Sequence, residues 1–383
     1  MDLIWFVISH YYNDGTTRDN VREKRAVVSS ALLTGPGHRA PDGVRKAWRL
    51  IFRLPSAMEH LEWRFVLPMK RTRIITSRVS PLKSAERLDS YCTGRFTYLT
   101  RDQWRKEILD GKVSLDGVVV PNIATTLQGG EMLAWDGSGI VEPAVDGSIT
   151  ILYKDEWFVA VNKPGNLPVH PSGRYFNNTL VAMLEDRFGR KVYPVHRLDR
   201  ETSGVMLLAF SGKNAGNLSG SKGSNEYLAL VHGNFPDEKL VVDLPLGRDL
   251  ESAVRKKRKA WPGGTEEATT QFTKVLTAGD ISLVRCFPET GRLHQIRAHL
   301  LSAGYPIVGD KLYGRDETAF LTFIEQGLTA ELEKRLVLPR SALHAAKLVF
   351  SHPVSKKEMI LRAPLPTMFS ECILSRRASK VER

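Results

Sequence analysis

The chain has 383 residues, of which 42% are hydrophobic, long enough for about two to three domains with real cores. Its formal net charge of +13 and pI near 9.6 point to a polyanionic partner, nucleic acid first, although charge says nothing of fold. Cys92, Cys286 and Cys372 stand far apart with no C-x-x-C pair, which argues against a disulfide framework or a cysteine zinc site and fits a reduced cytosol. No apolar run approaches the roughly 20 residues of a membrane span, and the apolar start is short and lacks a basic leader, so it does not read as a signal peptide.

Residues 1–83 read as a poorly ordered basic extension, arginine-rich with scattered tryptophans and no sustained period of 2 or 3.6. Within it Met69 opens "MKRTRIITSRVS", an alternative translation start. Order is expected over 84–140. Thr100 followed by Gln103 is a capping-box signature. The helix it opens carries Trp104, Ile108 and Leu109 as apolar positions and stops at Gly111. "KVSLDGVVV" predicts a hairpin about Asp116-Gly117.

Residues 142–147 form a short linker, and a larger domain spans 148–366. Strands are expected over 149–153, 158–161, 204–210 and 227–231. Helices are expected over 179–188, ending at Gly189, and over 294–303, ending at Gly304. The stretch "SGKNAGNLSGSKGSNE" at 211–226 reads as a loop, and 316–338 reads as a helical insert. The basic tail at 367–383 ends in the polar "SRRASKVER" at 375–383, which is expected to fray. Strands and helices do not alternate regularly, so an α+β fold is favoured over a doubly wound one.

Four segments could carry chemistry. In "VHRLDRETSG", 195–204, Asp199 sits among His196, Arg197 and Arg200. A carboxylate acting as nucleophile or base must stay ionised, and guanidinium groups favour that form; a surface ion-pair cluster fits the same pattern. In "TGRLHQIRAHL", Arg297 shares a helix with Ile296 and Leu300, four apart on one face. An arginine there points inward only if it meets an acid, and otherwise stays exposed. Tyr227 heads the apolar strand "NEYLALVHG", as a core residue or as a ring on which a base could pack. Lys163 and His170 punctuate the loop of "VNKPGNLPVHPSG". The histidines form no H-x-x-x-H or H-E-x-x-H pattern and there is no Gly-rich phosphate loop, so neither metal nor cofactor is expected.

In this order the segments resemble the RluA-type family of pseudouridine synthases. The carrying residues are H-R-L-D-R-E-T-S-G at 196–204, Y-L-A-L-V-H-G at 227–233, G-R-L-H-Q-I-R-A-H-L at 291–300 and G-D-K-L-Y-G at 309–314. "RSALHAAKLVFSHP" around His344 and "RAPLP" at 362–366 resemble the family's closing segments. The likeness covers roughly residues 148–366. "SAERLDSYC" through "GGEMLAWDG" resembles an S4 RNA-binding domain, through Arg87-Leu88-Asp89, the Trp104/Arg105 helix, Gly111, Val113 and Gly117.

The resemblance implies an α+β pseudouridine synthase fold, with a mixed, largely antiparallel sheet flanked by helices and loops, preceded by a small S4-like α/β domain. It implies Asp199 as the catalytic carboxylate, Arg297 as its basic partner and Tyr227 as the ring packed on a flipped base. Arg197 would enter the RNA stack, with His196, Arg292, Ile296 and Leu300 lining the substrate. Arg87, Arg105, Lys112 and Lys163 would contact RNA. The implied partner is RNA, large-subunit ribosomal RNA first and transfer RNA second, for a cytoplasmic monomer without metal, cofactor or membrane. Two departures stand out: Asn225 replaces a frequent lysine, and 211–226 is shorter than in the family. Two other classes share part of this pattern. An S4-bearing binding factor with a degenerate catalytic domain should lack Asp199 or Arg297, and both are present. A glycosidase needs two acids at a set separation, and the motif holds one.

Overall fold

The computed structural model describes residues 72–82, 84–96 and 99–381. Most of the expected extension, with the alternative start at Met69, lies outside the described residues.

The first part of the fold runs β1 (Ile74–Arg78), β2 (Glu86–Arg87), α1 (Leu88–Arg95), α2 (Arg101–Leu109), β3 (Val113–Leu115), β4 (Val118–Val119), β5 (Thr126–Leu127) and β6 (Met132–Asp136). Helix α2 begins on the reciprocal capping box. Gln103 N–H donates to Thr100 Oγ1 at 3.3 Å, and Thr100 N–H donates to Gln103 Oε1 at 2.9 Å. Trp104 and Ile108 are buried, whereas Leu109 is 59% exposed, on the helix face turned from the core. The hairpin turns at Asp116 and Gly117, with φ of 48° and 84°, the left-handed pair that a two-residue connection requires. Trp104 meets Trp135 edge-on with centroids 4.6 Å apart, and Leu88, Ile108 and Leu133 close this core. Residues 74–78 were expected within the poorly ordered extension. They instead form β1, antiparallel to β6 over five residues, which covers an edge that would otherwise present unpaired backbone.

The second part runs β7 (Thr150–Lys154), β8 (Phe158–Lys163), α3 (Leu180–Phe188), β9 (Tyr193–Pro194), β10 (Ser203–Ala209), α4 (Gly212–Gly220), β11 (Lys222–His232), β12 (Leu240–Asp243), β13 (Leu246–Arg248), β14 (Arg258–Ala260), β15 (Thr269–Ala278), β16 (Ile281–Pro288), α5 (Gln295–Ser302), α6 (Thr318–Gln326), α7 (Ala330–Leu336), β17 (Leu343–Ser351), β18 (Glu358–Arg362) and α8 (Thr367–Val381). Between the two parts, Glu142 accepts the backbone N–H groups of Phe176, Asn177 and Asn178 at 2.7–2.8 Å, anchoring the linker. No helix among the described residues is long and apolar enough to cross a membrane.

A ten-stranded sheet follows the order β12-β15-β16-β11-β17-β10-β8-β7, with β18 on β17 and β9 on β10. Its pairings are antiparallel except β10–β17, which is parallel through Ser203↔His344 and Gly204↔Ala345. The central strands are covered on both faces. Val159, Val161, Met206 and Leu208 pack against α3, while Phe158, Ala160, Val205 and Leu207 pack with Leu218 and Phe350. This double burial explains why β10 reads as a continuous apolar run rather than an alternating one.

Two expectations are corrected. Residues 212–220 are helical, not a loop. Ser211 Oγ accepts from Asn214 N–H at 3.2 Å, and Leu218 is buried against the Phe158–Leu207 face with Ala215 beside it. That packing outweighs a helix cost of about 1 kcal/mol per glycine. The tail does not fray from 375 but runs on in α8 to Val381, a helix whose Phe369, Cys372 and Ile373 are buried and whose Arg376 pairs with Asp280. The insert forms two short helices, α6 and α7, around Ala319, Leu332 and Leu336.

Gly204, at φ 116°, admits no side chain: a Cβ would lie 2.2 Å from the carbonyl oxygen of Ala345. Gly204→Ala is therefore expected to lose about 1–3 kcal/mol or more through overpacking, read as a lower urea midpoint; an unchanged midpoint would contradict so close a strand approach. His344, on the partner strand, accepts from Ser203 Oγ at Nδ1 (2.9 Å) and faces Ala363 O with Nε2 (3.4 Å). Burial pushes its pKa down to about 4. Between that value and the unfolded value near 6.5 the unfolded chain binds the extra proton, so stability falls as pH drops through this window. The change from pH 7 to 5 amounts to roughly 2 kcal/mol from this residue. His344→Gln should lose correspondingly less than wild type over that interval, and equal losses would assign the acid sensitivity elsewhere.

Candidate active site

Asp199 lies on the loop between β9 and β10, and that loop is pinned from several sides. Val195 N–H donates to Leu207 O at 3.0 Å and Thr202 N–H to Asp199 O at 3.2 Å. The Glu201 carboxylate accepts from Lys311 Nζ (2.8 Å), Arg200 Nη2 (3.1 Å) and Ser341 N (3.1 Å), and Arg340 Nη1 donates to Glu201 O at 3.0 Å. Lys163, expected at the RNA surface, is buried instead. Its ammonium donates to the carbonyls of Pro164, Leu167 and Arg200 at 2.8, 3.0 and 3.2 Å, tying the end of β8 to the Asp199 loop. Burial lowers its pKa to about 7. A buried ammonium needs such acceptors, and a lysine that finds them is withdrawn from solvent.

The centre of the site is one guanidinium between two carboxylates. Arg297, on α5, donates Nη1 to Asp199 Oδ2 at 2.7 Å, and donates Nε and Nη2 to the two oxygens of Asp310 at 2.6 and 2.8 Å. Asp310 is wholly buried, Arg297 12% exposed and Asp199 22% exposed. Asp310 also accepts Leu312 N–H (3.0 Å), Tyr313 N–H (2.8 Å) and Ser341 Oγ (3.2 Å). Burial opposes ionisation of both acids, but Arg297 outweighs it; Asp310 is held at about 2 and Asp199 below the usual aspartate value. Asp310 takes two of the guanidinium bonds and three neutral donors. Asp199 takes a single bond, so the uncompensated negative charge resides there, at the solvent side of the cluster.

Two further groups complete the centre. His294 places Nε2 at 3.8 Å from Asp199 Oδ1 and Nδ1 at 2.9 Å from the Tyr313 hydroxyl. The Tyr313 ring lies 4.7 Å from the Arg297 guanidinium carbon. Asp310, His294 and Tyr313 were not singled out from the sequence. The available signal was the requirement that an inward arginine meet an acid, and the G-D-K-L-Y-G segment held the candidate.

The other expected residues are placed as follows. Tyr227 stands on β11 opposite Cys286 and Ala345, packed beside Leu198 and Met206. Burial and then the nearby Asp199 charge raise its pKa, so the phenol stays protonated. Arg197 is exposed, and no hydrogen bond or ion pair joins it to the described residues. His196, expected among the substrate-binding groups, is engaged by the sheet: its Nε2 accepts Leu207 N–H at 3.2 Å. Ile296 and Leu300 are buried on α5. Arg292 is exposed and donates Nε to Glu267 O at 3.1 Å. In the first part of the fold, Arg87, Arg101 and Arg105 converge on buried Asp89 at 3.1, 3.3 and 3.0 Å. Lys112 pairs with Glu107 at 2.8 Å.

Comparison with known proteins places this geometry. The family model for RNA pseudouridylate synthase matches residues 157–302. The tRNA pseudouridine(32) synthase, mitochondrial, of Saccharomyces cerevisiae is 34% identical over 221 residues, 56% of this chain and 48% of that protein, so the chain spans about half the length of that relative. The ribosomal large subunit pseudouridine synthase D of Zymomonas mobilis is 31% identical over 300 residues, 73% of this chain and 90% of that protein. The tRNA pseudouridine synthase C of Pasteurella multocida is 32% identical over 243 residues, 59% of this chain and 95% of that protein. With likeness running through nearly the whole of the two bacterial relatives, the chain belongs to the RNA pseudouridylate synthase family, in its RluA-type branch.

Proposed function

We propose that this protein isomerises uridine to pseudouridine in structured RNA, with Asp199 as the acting carboxylate. The observation that carries the reading is the asymmetry of the buried cluster: Arg297 keeps Asp199 ionised while most of its bonds go to Asp310. The reaction breaks a C–N glycosidic bond and makes a C–C bond between the same sugar and base. The formula is unchanged, so neither redox chemistry nor an energy source is required. The target base must leave its stack, at a cost of about a few kcal/mol. Arg197, exposed and unengaged on the same loop, is suited to filling the vacated space and meeting phosphate. Asp199 then attacks the ribose C1′ as a nucleophile or removes the C2′ proton as a base, giving a glycal-type intermediate. Tyr227 packs on the detached uracil while it turns, and Ile296 and Leu300 belong to the apolar wall.

We assign residues 84–140, extended back to β1, to an S4-like RNA-binding module. The fan of Arg87, Arg101 and Arg105 around Asp89 supports this: the buried acid fixes three guanidinium groups whose side chains remain at least 38% exposed. We assign 148–366 to the catalytic domain. Large-subunit ribosomal RNA is the substrate class we favour, because the match to the Zymomonas protein takes in 300 residues against 243 for the transfer-RNA enzyme of Pasteurella. Transfer RNA is the second reading, favoured by the names of the yeast and Pasteurella relatives. The three buried free thiols suit a reducing compartment, and we take the working form to be a cytoplasmic monomer.

The deciding experiment maps pseudouridines in ribosomal and transfer RNA by carbodiimide modification and primer extension, in a strain lacking this gene. Sites should vanish and return with wild type but not with Asp199→Asn, which should still bind RNA within a few-fold. Binding lost together with activity would assign Asp199 a structural role instead. Asp310→Asn should cost about 3–5 kcal/mol of stability, because it breaks a buried ion pair from one side. A melting temperature equal to wild type would dismiss the buried pair.

A further inference from the structure

We propose that His294 is a positioning residue for Asp199: locked by Tyr313 with its proton on Nε2, it presents a neutral donor to Asp199 Oδ1 and orients the carboxylate without cancelling its charge. The inference rests on Asp199 being the acting carboxylate.

His294 has φ 58° and ψ 17° at the residue that opens α5, and its side chain caps no helix N–H. A left-handed conformation outside glycine is strained and persists only where the surroundings over-determine it. The histidine sends its ring into the Asp199–Arg297 cluster.

The hydrogen bonds set the tautomer. The Tyr313 hydroxyl oxygen accepts the backbone N–H of Arg258 at 2.7 Å. Tyr313 is fully buried, and its phenolic proton meets one acceptor among the described residues, His294 Nδ1 at 2.9 Å. Nδ1 therefore accepts, and the neutral ring carries its proton on Nε2, the atom 3.8 Å from Asp199 Oδ1. Arg297 holds Oδ2 from the other side. Burial and the adjacent guanidinium also favour the uncharged ring.

The electrostatics favour a neutral group here. Arg297 already shares a single positive charge between two carboxylates. A second cation would quench the excess negative charge that Asp199 needs as nucleophile or base, whereas an oriented N–H dipole steers the carboxylate and leaves the charge in place. The 3.8 Å separation is longer than a hydrogen bond, and such contacts tighten when substrate fills a site.

The test separates donor from backbone. Asparagine tolerates the left-handed conformation well, but its amide ends near the position of Nδ1 and does not reach Asp199. Glutamine carries its amide nitrogen to the position of Nε2. The substrate is [5-³H]uridine-labelled total RNA from a strain lacking this gene, and tritium release is followed in single turnover with the full chain. His294→Asn should slow release by about 10–100-fold, the scale for losing a group that orients a reacting ligand, with RNA affinity unchanged. His294→Gln should recover most of that rate. Independently of activity, ¹⁵N-histidine NMR at pH 7 should show His294 protonated at Nε2 alone, and Tyr313→Phe should erode that preference. Wild-type rates in His294→Asn overturn the inference. So do equally slow Asn and Gln variants with matching losses of melting temperature, or a proton found on Nδ1. Turnover by Asp199→Asn in the same assay would instead overturn the reading of Asp199, and the NMR result would still report the tautomer.

Discussion

The structure depends on one buried cation that must serve two carboxylates. Removing a guanidinium from water is tolerable only when its donors are satisfied, and Arg297 meets that condition through Asp310 and Asp199. The two acids are not equivalent. Asp310 is enclosed and saturated by backbone and hydroxyl donors, which makes it the anchor. Asp199, with a single strong partner and partial exposure, is left with charge to use.

The rest of the domain serves to bring these groups together. Asp199 and Arg297 are 98 residues apart in the chain, one on the loop before β10 and the other on α5. The parallel seam between β10 and β17 sets the start of β10 beside the strand that follows Ser341, and Ser341 in turn bonds both Glu201 and Asp310. Lys163 stitches the end of β8 into the same loop through three carbonyls. Buried charge, costly elsewhere, here supplies directional bonds that an apolar core cannot. The Asp199 loop is therefore held by polar contacts, while the apolar faces of β8 and β10 supply much of the core.

The smaller part repeats the device with the sign reversed. Asp89 is a buried anion surrounded by the partly exposed cations Arg87, Arg101 and Arg105, whereas Arg297 is a nearly buried cation between anions. In one case the arrangement leaves partly exposed guanidinium groups fixed around a buried acid, and in the other a partly exposed carboxylate beside a buried cation. Trp104, Trp135 and Leu88 hold the small core on which that fan is mounted.

Local physics made much of this legible in the residues alone. The capping box at Thr100, the Asp116-Gly117 turn, the Gly189 helix end and the buried run of β10 each follow from short-range patterns, and the ordered motifs marked Asp199, Tyr227 and Arg297 as one set. Composition misled where packing prevailed: 212–220 looks like a loop, yet Leu218 reaches the core and makes it a helix, and the polar tail from 375 continues a helix anchored by buried Phe369 and Ile373. The tertiary structure alone decided which charged residues face solvent. Lys163 and Arg197 look alike as basic residues in motif loops, but one is consumed by three carbonyls and the other is exposed with no hydrogen bond or ion pair among the described residues. Asp310 and Asp199 look alike as acids in motifs, but only one is saturated. A side chain's charge is written in the sequence; how much of it remains available depends on partners from distant strands, and only the folded chain assembles those.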